Sequence, residues 1–327
     1  MTNNAPGSTP LKTAAPISTK PRAAVSLGTR DMTLLCDLLT HGAMLAEHIH
    51  ALYFLGRSRR RMNQRLRQLL DAKLIARRPL PLGLSGHLPF PAPGGIPWVF
   101  SLGNAGAPVV AAHLGWDLAE VRRLTRLGTP TAAAHTLEIV GLRLRAEEAV
   151  REWKLADSSI ARLQFLPERL LRHGYQVRAP GGAWQKEVYK PDALLRIAFG
   201  DSAWRHYFAE IDLGHTSSRE WETKAAIAIR YWKTGLFEKR YGAEDFLTLV
   251  CTTGERRRMQ LCRTLVSRLG AEGAARFGLT TFAEVSSGLL SPIWHVPGLP
   301  HAVRLENWLP MSLATGGTSG RQPCDCV

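Results

Sequence analysis

From Asp31 onward the apolar residues recur at helical spacing. Leu34, Leu35, Leu38 and Leu39 share one face, and Gly42 ends the predicted helix. A second helix turns Leu45, Ile49, Leu52 and Tyr53 inward and closes at Gly56. A third, over 58–74, places Met62, Leu66, Leu69, Leu70 and Leu74 on one stripe. Three short helices with tight glycine-containing connections are what a helix-turn-helix requires. The period then changes. Residues 75–78 read as a strand, 79–97 as a Pro/Gly-rich loop and 98–102 as a returning strand, which together predict a wing; 104–114 predict a helix packed behind it.

A different pattern follows. Helix 131–153 carries Leu137, Val140 and Leu144 with Glu147 and Glu148, and short strands begin near Arg162. Residues 187–199 form a strand-like run broken at Pro191, 200–203 are expected to turn it back, and 207–213 predict a second strand. A helix over 218–234, with Ser218 as N-cap, a strand over 246–252 and a helix over 255–269 complete an α/β pattern. Residues 1–28 and 311–327 lack periodic apolar positions and are expected to be a disordered basic arm and a flexible tail. The expected organisation is therefore α+β, with one unit over 29–128 and a second over 129–310.

Charge changes the picture. The chain has 42 Lys+Arg against 27 Asp+Glu, a formal +15 over 327 residues. Nine of those cations, Arg57, Arg59, Arg60, Arg61, Arg65, Arg67, Lys73, Arg77 and Arg78, lie in a stretch where only Asp71 opposes them, a net +8 in 22 residues. With the apolar stripe buried, Arg60, Arg61, Gln64, Arg65 and Gln68 are expected to face outward. Arg pairs with guanine edges, Gln with adenine edges, and the remaining cations with phosphates. Double-stranded DNA is the expected partner, through Arg57, Arg59, Arg60, Arg61, Gln64, Arg65, Gln68, Arg77 and Arg78. RNA remains an alternative, as does a solvated basic face. A membrane is not expected, because the apolar stripe of the basic helix lacks Trp and Phe and no apolar run is long enough to span a bilayer. Without a secretory leader pattern, and with five scattered cysteines (Cys36, Cys251, Cys262, Cys324, Cys326), a reducing cytoplasmic setting is expected.

Candidate chemistry lies in the second unit. Pro191-Asp192 precedes Glu210-Ile-Asp212, and alternation along a strand puts Glu210 and Asp212 on one face. If the strand after Asp192 pairs with theirs, the three carboxylates Asp192, Glu210 and Asp212 meet and would need a divalent cation, Mg²⁺ or Mn²⁺. Such an ion would activate water against a phosphodiester. The alternative is that Asp192 caps a turn while Glu210 and Asp212 pair with arginines. No phosphate-binding Gly-Lys loop and no His-rich metal motif is present.

The arrangement resembles PD-(D/E)xK nucleases, in which a lysine normally stands where this chain has Asp212; Lys224 on the following helix is the replacement cation. In order along the chain come His135-Thr136-Leu137, Pro191-Asp192, Glu210-x-Asp212-x-Gly214-x-Thr216, Lys224 with Tyr231, and Leu249-Val250-Cys251-Thr252. Together with the preceding helix-turn-helix, these motifs resemble the replication-relaxation family of bacterial plasmids and other mobile elements, over roughly residues 29–264. The resemblance implies a role in plasmid replication or mobilisation. It implies a restriction-endonuclease-like second domain with Asp192, Glu210, Asp212 and Lys224 as candidate active-site residues. A homodimer and replication or transfer proteins are the further partners to expect. Three functions remain open: a DNA-binding replication or mobilisation factor, an active Mg²⁺-dependent endonuclease, and a transcriptional regulator with a catalytically dead second domain.

Overall fold

The computed structural model describes residues 25–80, 97–125, 129–156, 162–178, 182–199 and 204–308. Residues 1–24 of the expected arm, the tail, the 200–203 turn and most of the 79–97 loop lie outside the described residues.

The chain begins with α1 (Thr29–His41), β1 (Met44–Leu45), α2 (Ala46–Tyr53), α3 (Arg59–Asp71), β2 (Ile75–Pro79), β3 (Trp98–Leu102), α4 (Gly106–Leu114) and α5 (Leu118–Leu124). Leu34, Leu35, Leu38, Leu39, Ile49, Met62, Leu66 and Leu69 share one core, as the helical spacing predicts. Two details differ from that prediction. Leu45 is not helical but pairs with Val99, so that β1 closes a three-stranded antiparallel sheet in the order β1-β3-β2. The third helix stops at Asp71, because Lys73 takes φ 58° and Leu74 N–H returns 3.0 Å to Leu69 O, a Schellman-type ending. The next chain segment passes so close to this turn that a Cβ on Gly103 would lie 2.3 Å from Lys73 O.

The long helix α6 (Pro130–Ala156) is apolar on two faces. Leu137 packs with Ala43, Leu45, Leu80 and Val99, and Val140 joins the N-terminal core. Ile139, Leu142, Ala146, Ala149 and Val150 instead lie on a five-stranded sheet. A helix apolar on both sides is buried on both sides. That sheet runs β10-β9-β8-β7-β4, from β4 (Arg162–Pro167), β7 (Ala193–Ala198), β8 (Arg205–Asp212), β9 (Leu247–Thr252) and β10 (Phe277–Thr281). β4, β7 and β8 are antiparallel neighbours, whereas β8, β9 and β10 are parallel, so crossovers through α7 (Ser218–Lys233) with α8 (Leu236–Tyr241), and through α9 (Glu255–Ala274), connect them. Alternation sorts the faces: Tyr207, Ala209 and Ile211 meet α6, while Phe208 packs with Trp221, Ala225 and Tyr231 of α7. A separate hairpin of β5 (His173–Arg178) and β6 (Trp184–Tyr189) precedes β7.

The N-cap of α7 is Ser217 rather than Ser218; its hydroxyl accepts from Glu220 N–H while the Glu220 carboxylate accepts from Ser217 N–H at 2.7 Å. In α9 the expected end at Leu269 is a break: Gly270 sits at φ 71° and the helix resumes to Ala274. The closing segment, α10 (Phe282–Ser287) and residues 288–308, buries Trp294 and Trp308, whose indoles donate to Leu289 O and Ala275 O.

Candidate active site and basic helix

Ser58 caps α3, and Met62, Leu66 and Leu69 bury one face. Arg59, Arg60, Arg61, Gln64 and Arg67 stand exposed on the rest, with Arg57 just before the helix. Arg65 departs from the expected outward row. Its guanidinium takes both oxygens of Asp31 on α1, Nε to Oδ1 at 3.0 Å and Nη2 to Oδ2 at 2.6 Å, and also donates to Ser26 O and Gln68 Oε1. Only 6% of the Asp31 side chain is exposed. Burial works to raise the Asp31 pKa, but the Arg65 hydrogen bonds and the Gly28 N–H outweigh it and hold the carboxyl below its ordinary value. Arg65 therefore clamps α3 to α1, because the buried carboxylate beside it must be neutralised. On the hairpin, Arg77 lies 4.6 Å over the Trp98 ring, and the half-buried Arg78 turns toward a cleft.

That cleft has a volume of about 560 Å³ and lies where the N-terminal helices meet α6 and the ends of β7 and β8. Arg78, Arg169, Lys190, Lys224, His135 and His215 line it, with Glu168 the one acid of the lining. Proline at 191 has no N–H to donate and separates β6 from β7, yet Asp192 N–H already bonds Ala209 O at 3.0 Å. The Asp192 carboxylate is thereby held at the strand end. Its Oδ2 accepts from Ile211 N–H at 2.7 Å and from His135 Nε2 at 3.1 Å.

Glu210 and Asp212 leave β8 on the same face, as alternation requires, but they meet different partners. Glu210 Oε2 lies 2.6 Å from Lys224 Nζ of α7. Asp212 accepts from Thr252 Oγ1 at 2.7 Å, Trp221 Nε1 at 3.2 Å, and Arg257 Nε and Nη2 at 2.8 and 3.1 Å. Asp192, Glu210 and Lys224 thus form one electrostatic unit, and Asp212 belongs to an adjoining one with Arg257. Burial pushes Glu210 up to about 7, the Asp192 charge adds to this, and Lys224 opposes it. Burial also works against ionised Asp192, but His135, Lys224 and the Ile211 N–H hold it below the ordinary carboxylate range.

As arranged, Lys224 holds Glu210 Oε2 and Arg257 holds both oxygens of Asp212, so a Mg²⁺ or Mn²⁺ shared by Asp192, Glu210 and Asp212 would have to displace these cations. A different set of donors converges. The ligand atoms of His135, Glu168 and Asp192 lie within 4.8 Å of one another.

A family description, replication-relaxation, matches residues 35–247, from α1 to the first residue of β9. The chain belongs to the replication-relaxation family. Neither a curated protein nor a solved structure matches it. The matched span of this replication-relaxation protein includes α3, His135, Glu168, Asp192, Glu210, Asp212 and Lys224, whereas Arg257 lies beyond it. Among the described residues, no helix is long and apolar enough to cross a membrane.

Sequence reasoning missed four residues of the site. Arg257 sits inside an Arg-Arg-Arg run that reads as a solvated helix start. Glu168 is a lone acid after a strand and carries no motif. Arg169 bridges the two halves by donating to Leu39 O, near the end of α1, and to Leu124 O, the last residue of α5. Unpaired carbonyls at helix C-termini are natural acceptors for a cation. Gly42 leaves room for that side chain, since a Cβ there would come 2.3 Å from its Nη2. His135 did have a signal, the His-Thr-Leu motif, but not one that indicated chemistry.

Proposed function

We propose that this replication-relaxation protein binds duplex DNA during replication or mobilisation of a plasmid or other mobile element. In this reading α1–α3 act as a helix-turn-helix, α3 enters the major groove, and the β2–β3 hairpin is the wing. The exposed row Arg60, Arg61, Gln64 and Arg67, opposite the buried Met62, Leu66 and Leu69, carries the reading. The strand order β1-β3-β2, with β1 between the first two helices, supports it because it sets the hairpin beside α3. A helix bearing guanidinium and amide groups suits both phosphates and base edges. The test is retention of a duplex by Arg60→Ala/Arg61→Ala. Loss of retention with an unchanged circular dichroism spectrum supports the reading, and wild-type retention refutes it.

A second reading, a metal-dependent endonuclease, is favoured by the meeting of Asp192, Glu210 and Lys224. The path α6–β4–β7–β8–α7–β9 accords with a restriction-endonuclease-like core that has these residues at its strand ends. Lys224 would face a phosphate oxygen, and Glu210, with a pKa near neutrality, could hold or release a proton. Nicking of supercoiled plasmid that disappears in Lys224→Met supports this reading. Intact plasmid under Mn²⁺ leaves a DNA-binding factor or regulator whose second domain has no hydrolytic role.

A further inference from the structure

We propose that His135, Glu168 and Asp192 form a binding site for one divalent transition-metal ion, of the Mn²⁺, Co²⁺ or Zn²⁺ class. The inference rests on reading the cleft as functional, and not on α3 as the DNA-binding element.

Three separate elements supply the donors: α6 gives His135, the turn after β4 gives Glu168, and the residue before β7 gives Asp192. Metal bonds to imidazole nitrogen and carboxylate oxygen run to about 2.0–2.2 Å, so ligand atoms around one ion stand about 3–3.5 Å apart. A spread of at most 4.8 Å closes to that value by small side-chain rotations. The His135–Asp192 edge is already at 3.1 Å.

The backbone holds Asp192 in place, with its own N–H on Ala209 O and Ile211 N–H on its Oδ2; among the described residues Oδ1 accepts no hydrogen bond. Glu168 is held through its neighbour Arg169, which is tied to the ends of α1 and α5. The other two ligands are accessible. The side chains of His135 and Glu168 are 27% and 29% exposed and line the 560 Å³ cleft, so solvent or a phosphate oxygen could take the remaining coordination positions. Lys190, which pairs with Glu168, is more than half exposed and free to swing away when an ion arrives. One imidazole with two carboxylates selects a transition ion over Mg²⁺ or Ca²⁺, which prefer oxygen alone. Lys224 and Arg257 meanwhile occupy Glu210 and Asp212, and so direct a cation toward the His135 side of the cleft.

The experiment titrates the full chain with Co²⁺, followed by its visible absorption, and with Mn²⁺, followed by loss of the free-ion electron paramagnetic resonance signal. One ion per chain is expected. His135→Ala and Glu168→Gln should each weaken binding at least tenfold, whereas Glu210→Gln and Asp212→Asn should change it by less than threefold. Both ligand substitutions are at partly exposed side chains, and a melting curve on each variant checks folding. If either variant unfolds, the intensity of the wild-type Co²⁺ spectrum on acidification, compared with that of His135→Gln, decides whether imidazole is a ligand. Absence of binding by the wild type overturns the proposal. So does undiminished binding in His135→Ala, or loss confined to Glu210→Gln and Asp212→Asn, which would restore the three-carboxylate arrangement. Duplex retention by the same variants in metal-free buffer tests the α3 reading separately.

Discussion

Arg65 holds Asp31 by a two-point ion pair, 3.0 Å at Nε and 2.6 Å at Nη2, that ties the basic helix to the first helix of the chain. One member of the expected DNA-facing row is thereby tied into the fold.

Removing that clamp should cost stability more than it costs direct DNA contact. Arg65→Ala leaves a nearly buried Asp31 without its partner, and breaking a buried pair in this way costs about 3–5 kcal/mol, less where solvent reaches the arginine. About 2–3 kcal/mol is expected by urea denaturation. At a temperature where both variants are folded, DNA affinity should fall less than in Arg60→Ala/Arg61→Ala. The reverse order would make Arg65 a contact after all.

Binding to duplex should depend steeply on salt. If five to six phosphates are neutralised, log K against log salt falls with a slope near −5, from roughly −0.9 per phosphate. The Arg60→Ala/Arg61→Ala variant should flatten the slope by about 2. Gln64→Ala should leave the slope alone and change preference at one base pair by about 1–3 kcal/mol. Fluorescence anisotropy across a salt series and a set of substituted duplexes measures both.

Stability should fall as the solution is acidified from neutrality. Burial holds His48 down to about 3, with the Arg145 charge adding. Burial likewise holds His173 and His206 down to about 4, helped by Arg240 and Arg196. Their unfolded value is about 6.5, so below it the unfolded chain binds protons that the folded chain refuses. The three imidazoles contribute a loss that starts near pH 6.5 and continues to about pH 4, at most about 4 kcal/mol per pH unit. Glu210 and Glu138, which burial pushes up to about 7 and about 8, take up protons in the fold first and offset part of that loss above about pH 4.5. A melting midpoint flat from pH 7 to pH 5 in a Glu138→Gln/Glu210→Gln background, where the opposing carboxyls are gone, would mean that these side chains are protonated in the fold.

The two halves should unfold together. α6 gives Leu137 and Val140 to the N-terminal side and Ile139 and Leu142 to the sheet, and Arg169 reaches back to Leu39 and Leu124. Leu137→Ala should lower stability by about 2–5 kcal/mol, the range for a buried leucine. Calorimetry should show one transition for the full chain, while a fragment starting at residue 129 exposes Leu137 and Val140 and should aggregate. Two well-separated transitions would show that α6 does not couple the halves.

The expected site was partly legible. Strand alternation was enough to put Glu210 and Asp212 on one face, and the register Ala193↔Ala209 brings Asp192 beside them. Alternation says nothing about what packs over the face. Lys224 and Arg257 arrive on different helices and divide the pair, and Arg257 is 45 residues from Asp212 in the chain.

What the sequence by itself determined about this protein was local: the helical stripe of Leu34 to Leu39, the buried face of α3, the α/β succession after α6 and the concentration of positive charge on one helix. These follow from side-chain period and charge density, which need only neighbours in the chain. Tertiary structure alone decided which arginine faces solvent, that Leu45 pairs as a strand, that α6 is buried on two sides, and that His135 and Glu168 stand beside Asp192. Each of these depends on contacts between residues distant in sequence, where a buried charge must find its counter-charge and a second apolar face must find a second core.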